Sequence, residues 1–454
     1  MSIIKEFLDR NRKKRLNVHC VGDAMVDEYY DVKVNRISPE FPMPIMTSTH
    51  DKPVSRPGGV ANVAYQFRHF NVAPTLVCFP DPKAEKVFRY HNLSRWGDSE
   101  IKAKLPYKKR FLDGHVQVTR RDVETPGCGL SPDTVDYFTK SLGESIVKHK
   151  MTPDVAILSD YNKGFFSSTE HNVLDFYRHV KTIVDPKKGP LSKWKGCTIF
   201  KPNGIEAEAL TGKKAWKEQA KHLQNELECE AVVITHSGEK VAGVWKEEFF
   251  CYRPEVMVEV DSVVGAGDCF GAFFAMAIGH GFTVPEAAEI AYRAGAVYVQ
   301  HYMNRPVCPA ELAEDGLVNP SDLVQRDFKL VFTNGCFDVL HEGHMATLKF
   351  AKSKGDRLVV ALNSDESIKR LKGPKRPLVP LAQRMAVMAA IRYVDFVVSF
   401  DEDTPLEIIK AIKPDVLVKG GEYAKEKIIG ADIVPEVYRS PMIEGMSTSK
   451  LLGS

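Results

Sequence analysis

Two stretches of the chain bring together residue types that act on phosphates. In "EVDSVVGAGDCFGAFFAMA" (259–277) a Gly-Ala-Gly-Asp run opens an apolar helical segment carrying Phe270, Phe273, Phe274 and Ala277. Glycines let the backbone turn tightly, and the first amides of a helix lack partners within it, so such a terminus favours an anionic oxygen. Asp268 falls in that first turn, close enough to accept a proton from a hydroxyl attacking a phosphoryl group. In that chemistry positioning and charge stabilisation supply most of the rate. A lone Gly-x-Gly-Asp is also simply a turn with a cap, so its neighbours matter. "RPGGVANVAYQF" (56–67) supplies Gly58 and Gly59 leading into a helix with Asn62 on its first turns. "VGDAMVDEYY" puts Asp23 and Asp27 just after the first strand. "KPNGIEAE" offers Asn203 and Glu206 at a spacing suited to holding hydrated magnesium near phosphates, with Glu206 as the metal-side carboxylate.

The second stretch, "FTNGCFDVLHEGHMATLKFAK" (332–352), sets His341 and His344 around a glycine where a strand is expected to turn into a helix. Metal ligation needs at least a third ligand, and no HExxH or His/Cys cluster accompanies the pair. Core placement stays open, although two polar rings beside a glycine fill a core poorly. A phosphate clamp fits better: both imidazoles sit at a helix start, where ring nitrogens and backbone amides can meet triphosphate oxygens.

These residues must be positioned by elements, and the elements alternate. "NVHCVGD" (17–23), "DVAILSD" (154–160), "TIVD" (182–185), "CTIFKPN" (197–203) and "AVVITHS" (231–237) read as strands ending at polar or glycine residues, most of them followed by helical patterns. That is the βαβ pattern of an α/β fold with a mainly parallel sheet and helices on both faces. Ligands gather at the carboxyl ends of such strands, so Asp23, Asp160, Asp185 and Asn203 are expected along one rim. From about 306 to 328 the text loosens around prolines and reads as a linker with a short helix. Alternation then restarts with four strands, "KLVFTNG", "DRLVVALNSD", "DFVVSF" and "DVLVKGG". The expected organisation is therefore a first domain over 1–310, a linker over 311–328 and a smaller Rossmann-like domain over 329–454.

Bulk properties agree with this division. The 454 residues exceed one ordinary core, and a net charge of +3 implies no nucleic-acid partner. Nine cysteines, odd in number and without CxxC spacing, read as reduced thiols in a cytoplasmic setting. The N-terminus carries charges throughout, unlike a signal peptide, and the apolar run near Phe270–Ile278 is too short to span a bilayer, so no membrane partner is expected.

With the motifs assembled, residues 15 to 305 resemble the ribokinase-like (PfkB) sugar kinases. The resemblance implies Asp268 as catalytic base and the amides of Gly265, Ala266 and Gly267 as anion hole. It implies Asn203 and Glu206 as organisers of Mg-ATP, Asp23, Asp27, Gly58, Gly59 and Asn62 along the sugar, and a small β lid built partly from "RISPEFP" (36–42). Two departures stand out: "CFPDPKAEKVF" replaces the usual G-x-D-x-x-G loop, and Ser262 replaces a threonine upstream of GAGD. Residues 329 to 454 resemble the HxGH nucleotidyltransferases, through "TNGCFD", "NSDESIKRLKGPKRPLVPLAQR", "VKGGEY" and "MSTSKLL". That resemblance implies His341, His344 and Lys372 as catalytic groups. It puts Thr333, Asn334, Gly335, Phe337, Arg384, Gly420 and Thr448 around the nucleotide. The basic run "KRLKGPKR" then reads as a phosphate loop.

A kinase followed by an HxGH transferase resembles one family in particular, the bifunctional D-glycero-β-D-manno-heptose 7-phosphate kinase / heptose 1-phosphate adenylyltransferases of lipopolysaccharide precursor synthesis. The resemblance implies ATP and Mg2+, phosphorylation of the anomeric hydroxyl, and then joining of AMP to the 1-phosphate with loss of pyrophosphate. It also implies Lys163 as a 7-phosphate contact and a homodimer through the kinase domain. Another sugar phosphate, CTP in place of ATP, or one degenerate site keeps the same architecture. The residues alone point to one hydroxyl-phosphorylating site and one nucleotidyl-transferring site.

Overall fold

The run "VAILS" at Val155–Ser159 shows no polar alternation and is buried at every position, as expected for a strand covered on both faces. The computed structural model describes residues 2–441 apart from 49, 51, 97–99, 149–151, 188, 255–257, 302, 314 and 421–427. It divides into two compact units, Met1–Val307 and Cys308–Ser454.

In the first unit Val155–Ser159 sits inside a nine-stranded sheet. On one side it pairs in parallel with Leu16–Gly22, which leads to Val72–Val77 and Arg95–Trp96. On the other side it pairs with Lys181–Asp185, then Ile199–Phe200 and Ala231–His236. Lys240–Trp245 and Glu248–Tyr252 close that edge as antiparallel strands. Asp23, Asp160, Asp185 and Asn203 thus stand at the carboxyl ends of four adjacent parallel strands. The order of connection reverses between Leu16–Gly22 and Val155–Ser159, where crevices form in such sheets.

The helix Ala266–Gly279 is apolar nearly all round and buried from Asp268 to Ile278, the pattern of a helix enclosed by protein. Gly271 lets it press on the sheet, since a Cβ there would lie 2.9 Å from the Ile157 side chain. A separate lid sheet is built around the 14-residue strand Ala24–Ile37. Its inner half pairs with Val54–Gly59 and Tyr107–Asp113, its outer half with Pro44–Ser48, while Val116–Val123 flanks Tyr107–Asp113. The "RISPEFP" stretch runs from the end of the long strand into the turn before Pro44–Ser48.

The second unit holds five parallel strands in the order Phe396–Phe400, Arg357–Asn363, Leu330–Gly335, Val416–Gly420, Glu436–Ser440. Four had been expected. The fifth, "EVYRS", is a half-exposed edge strand without an apolar run to announce it. Cys308, Ala310 and Leu323, from the stretch read as a linker, are buried in this unit's core with Leu330, Phe332 and Val359. Among the described residues no helix is long and apolar enough to cross a membrane.

Candidate active sites

Asp268 stands in the first turn of Ala266–Gly279, and two side chains from other elements hold it. Asn62 Nδ2 donates to its Oδ2 at 2.9 Å, and the Tyr161 hydroxyl donates to its Oδ1. Burial pushes the carboxyl up to about 6, against the pull of those two donors, with Asp185 and Asp27 adding repulsion. The helix mouth is shaped by Gly265 at φ +79°, where a Cβ would fall 2.4 Å from the Tyr298 hydroxyl and 2.6 Å from Asn62 Nδ2. The Ala266 amide bonds to Val263 O at 3.2 Å, whereas nothing lies within 4 Å of where a Gly267 Cβ would be. The result is a carboxylate of raised basicity beside open space at a helix N-terminus.

Around it the rim divides into two sides. On one, Lys187 Nζ meets Glu206 Oε1 at 2.6 Å, and buried Lys201 meets Asp185 at 2.9 Å. Asn203 and Glu206 form a reciprocal capping box at the start of Gly204–Thr211, each backbone amide bonding the other's side chain at 2.9 Å. The N-x-x-E spacing therefore serves the helix terminus as well as any ligand, which follows from the geometry of a first turn. On the other side, Asp27 is paired with Arg110 Nη2 at 3.0 Å and with Asn304 Nδ2 at 2.9 Å. Burial pushes Asp27 up in spite of the guanidinium. Gly58 makes room for it, since a Cβ there would lie 2.5 Å from Asp27 Oδ2. Gly59 precedes the helix Val60–Gln66 that carries Asn62.

Asp23 and Lys163 meet in a different way. The Asp23 carboxylate accepts the backbone amides of Tyr161, Lys163 and Phe165 at 2.8, 3.0 and 3.0 Å, so it organises the loop that delivers Tyr161. Burial outweighs these bonds and pushes its pKa up to about 6. The Lys163 ammonium pairs with Glu124 at 2.7 Å. In the departing loop, Asp81 caps the helix Pro82–Tyr90 and also accepts the Leu105 amide at 2.9 Å, a structural pin.

In the second unit the site lies beside Leu330–Gly335, where strand order reverses toward Val416–Gly420. His341 caps the helix Glu342–Lys352 in extended conformation, and the His341 and His344 rings stack with centroids 3.8 Å apart. Both Nδ1 atoms are buried without a partner among the described residues. Burial, with His341 and Lys372 nearby, lowers His344 to about 4, so that ring is neutral at ordinary pH, and burial lowers His341 from its usual value too. Phe337, at φ +45°, lies 5.0 Å from His344. Thr333, Asn334 and Gly335 end the first strand, and Lys419 next to Gly420 bonds Asn334 Oδ1 at 3.1 Å. Lys372 ends the helix Asp365–Lys372 and is exposed, while Arg384 is turned inward. Its three nitrogens bond Val379 O, Cys336 O and Asp365 Oδ1 at 2.9, 2.8 and 2.7 Å. Asp338 accepts the Leu378 and Val379 amides and pairs with Arg376 at 2.7 Å, tying the basic loop to the turn after the first strand. Thr448 lies outside the described residues.

Lys108, Arg110, Tyr161, Lys187 and Asn304 were not singled out from sequence, nor were Asp338 and Lys419. Lys187 and Tyr161 lay within the quoted "DPK" and "LSDYNKG", but a lysine or tyrosine in a loop carries no spacing signal of its own.

Residues 169–309 match the pfkB family carbohydrate kinases, and residues 332–439 match the cytidylyltransferase-like family. Curated relatives named bifunctional protein HldE align along nearly the whole chain. That of Hydrogenovibrio crunogenus is 36% identical and covers 96% of both chains. One from Campylobacter jejuni subsp. jejuni is 35% identical and covers 98% of both. Among solved structures, Escherichia coli phosphofructokinase-2 in complex with potassium matches with a TM-score of 0.52 at 18% identity, over 66% of this chain and 96% of that one. An Agrobacterium tumefaciens carbohydrate kinase gives 0.50 at 17%, over 65% and 95%. At such identities these two matches speak for the fold alone.

Proposed function

This chain belongs to the family of HldE bifunctional proteins, a sugar kinase joined to a nucleotidyltransferase, and from that premise we propose that it makes ADP-heptose in two of its steps. In the first unit Asp268 takes the proton from the anomeric hydroxyl of heptose 7-phosphate as that oxygen attacks the γ-phosphorus of ATP. The bond from γ-phosphorus to the bridging oxygen breaks, and ADP leaves. Asn62 and Tyr161 hold the carboxylate in line, and the raised pKa makes it a better proton acceptor than an exposed aspartate. Lys187 and the helix mouth around Gly267 face the charge that builds on the transferring group. Glu206, whose oxygens accept from Lys187 Nζ and the Asn203 amide, and Asp185 are the carboxylates that would hold a magnesium ion beside the nucleotide. When bound, that ion neutralises phosphate charge.

In the second unit an oxygen of heptose 1-phosphate attacks the α-phosphorus of ATP, the α–β bridge breaks and pyrophosphate leaves. His341 and His344 donate N–H bonds from Nε2 to phosphate oxygens, since both Nδ1 atoms are buried. Lys372 adds charge from the end of the helix that leads into the loop Asp338 anchors, while Thr333, Asn334, Gly335, Phe337 and Gly420 line the nucleotide crevice. Arg384 supports the crevice by bracing Cys336 and Asp365. We further infer work in the cytoplasm, and a homodimer through the kinase unit. The exposed Ile37, Phe41, Met43 and Met46 along the outer lid support the latter.

The observation that carries this reading is the Asp268 carboxylate, pinned by two donors beside the open start of Ala266–Gly279. Its test is to incubate the full chain with heptose 7-phosphate, Mg-ATP and a phosphatase and to weigh the products. ADP-heptose and pyrophosphate are expected. A nucleotide sugar formed from CTP and not from ATP overturns the adenylyl assignment, and no phosphorylated product overturns the kinase assignment.

A further inference from the structure

We propose that Lys419, near the end of the strand Val416–Gly420, seats the phosphate of the attacking substrate in the second unit, from the face of the sheet opposite the histidine pair. The inference rests on the reading that this unit joins a nucleotide to a phosphate monoester, and it names the cation that holds that monoester.

Strand register places the residue. Phe332 stands opposite Leu417 in the parallel ladder between Leu330–Gly335 and Val416–Gly420. Two residues further on, the same register brings Lys419 beside Asn334. Its Nζ donates to the Asn334 backbone carbonyl at 3.3 Å and to Asn334 Oδ1 at 3.1 Å. Side chains two apart share one face of a strand. Lys419 therefore shares the face of Leu417, which packs with Leu330, Phe332 and Ile412. The alternate residues Val416 and Val418 lie on the other face, with Leu348 and Ala351 of the helix that His341 opens. Lys419 and the imidazoles thus approach the strand ends from opposite faces, where the strand order reverses.

The charge of Lys419 has no counterpart. Buried Lys201 and half-buried Lys193 and Lys352 meet the carboxylates of Asp185, Asp160 and Asp395. Lys419 is half-buried too, but it has only the two Asn334 carbonyl oxygens and no carboxylate partner among the described residues. Burial lowers its pKa, while the nearby Cys336 thiol pulls the other way. An ammonium carries three donors, so among the described residues one N–H and the whole positive charge stay unanswered. Buried cations are ordinarily paired. A phosphate monoester answers both needs, because its anionic oxygens accept charge-assisted bonds.

The remaining cations of this site belong to the histidine face. Lys372 stands close enough to His344 to help lower its pKa, and Arg384 spends its three nitrogens on Val379, Cys336 and Asp365. In displacement at phosphorus the attacking and leaving oxygens lie roughly in line. With the triphosphate held by the histidines and Lys372, the attacking monoester comes from the opposite side, where Lys419 stands. Its oxygen bonds to the α-phosphorus, and the α–β bridge breaks with its electron pair going to pyrophosphate. Lys419 keeps its protons and contributes charge and position alone.

The experiment follows pyrophosphate release by the full chain with heptose 1-phosphate and Mg-ATP, and measures heptose 1-phosphate binding by calorimetry. Lys419→Met keeps the side chain's length and removes its charge. It should raise KM for heptose 1-phosphate by about tenfold or more, the loss expected for a hydrogen bond to a charged group, and leave KM for ATP unchanged. Lys419→Arg should recover part of the affinity. Lys419→Gln, whose amide still donates to Asn334, carries the same expectation as Lys419→Met and replaces it should that variant lose its fold. A raised KM for ATP with that for heptose 1-phosphate unchanged would place Lys419 on the nucleotide and overturn the proposal. A lowered kcat with both KM values unchanged, or no change in any constant, would overturn it too. A wild type that binds heptose 1-phosphate more tightly than Lys419→Met, yet releases no pyrophosphate, would keep the seat and remove the nucleotidyl-transfer reading.

Discussion

The two sites of this chain meet the same ligand chemistry with opposite means. In the kinase unit the reaction centre is crowded with full charges: Asp268, Asp27 with Arg110, Asp185 with Lys201, and Glu206 with Lys187. In the transferase unit the central groups are two stacked imidazoles whose inner nitrogens have no partner among the described residues. The difference follows from the chemistry each can do. A site that must remove a proton from a hydroxyl needs a base, and it tunes that base by burial and by neighbouring charge. A site whose attacking oxygen is already ionised needs only donors that hold and neutralise phosphate.

The widest separation of the two sites should come from Asp268→Asn. It is expected to lower the kinase rate by about 10²–10⁴-fold, the range ascribed to a general base, while pyrophosphate release from heptose 1-phosphate and ATP stays unchanged. Loss of both activities in a coupled assay would contradict independent units. His344→Ala is the converse, with an expected loss of about 10²–10³-fold in pyrophosphate release. A kinase rate lowered beyond about tenfold, or 1.4 kcal/mol, would show that the sites are coupled.

The pH profiles should also part. Burial raises Asp268 to about 6, so the base is protonated below that value, and kinase kcat/KM should fall as pH drops through it. His344, lowered to about 4, stays neutral over the same range, so its protonation should not lower the transferase rate between pH 7 and 5. Acid limbs at the same pH in both activities would erase the contrast. The smallest effect is expected from Tyr161→Phe, which removes one hydrogen bond from Asp268. That bond holds the carboxyl down, so its loss should move the kinase acid limb upward and lower kcat by roughly fivefold, about 1 kcal/mol. An unshifted limb would mean that Tyr161 acts on packing alone.

The comparison also bears on what a sequence displays. Both helix mouths were legible, because a glycine-bearing turn before an apolar run is a local pattern and Asp268, His341 and His344 lie within it. Nine strands could be read as apolar runs ending in polar residues, for the same local reason. The edge strand Glu436–Ser440 could not, because an edge strand needs no continuous apolar face. The packing of Cys308, Ala310 and Leu323 into the second core was equally hidden, since prolines and polar neighbours mask three buried side chains.

Local order in the chain determined where glycine-bearing turns would open helices, and it put Asp268, His341 and His344 at those openings. Tertiary structure decided who holds them. Asn62 and Tyr161 reach Asp268 from 206 and 107 residues away, and Arg110 meets Asp27 across 83 residues. Asp23 and Arg384 are turned to bracing loops. Hydrogen-bond direction and burial depend on which strands become neighbours, and spacing along one chain carries no record of that choice.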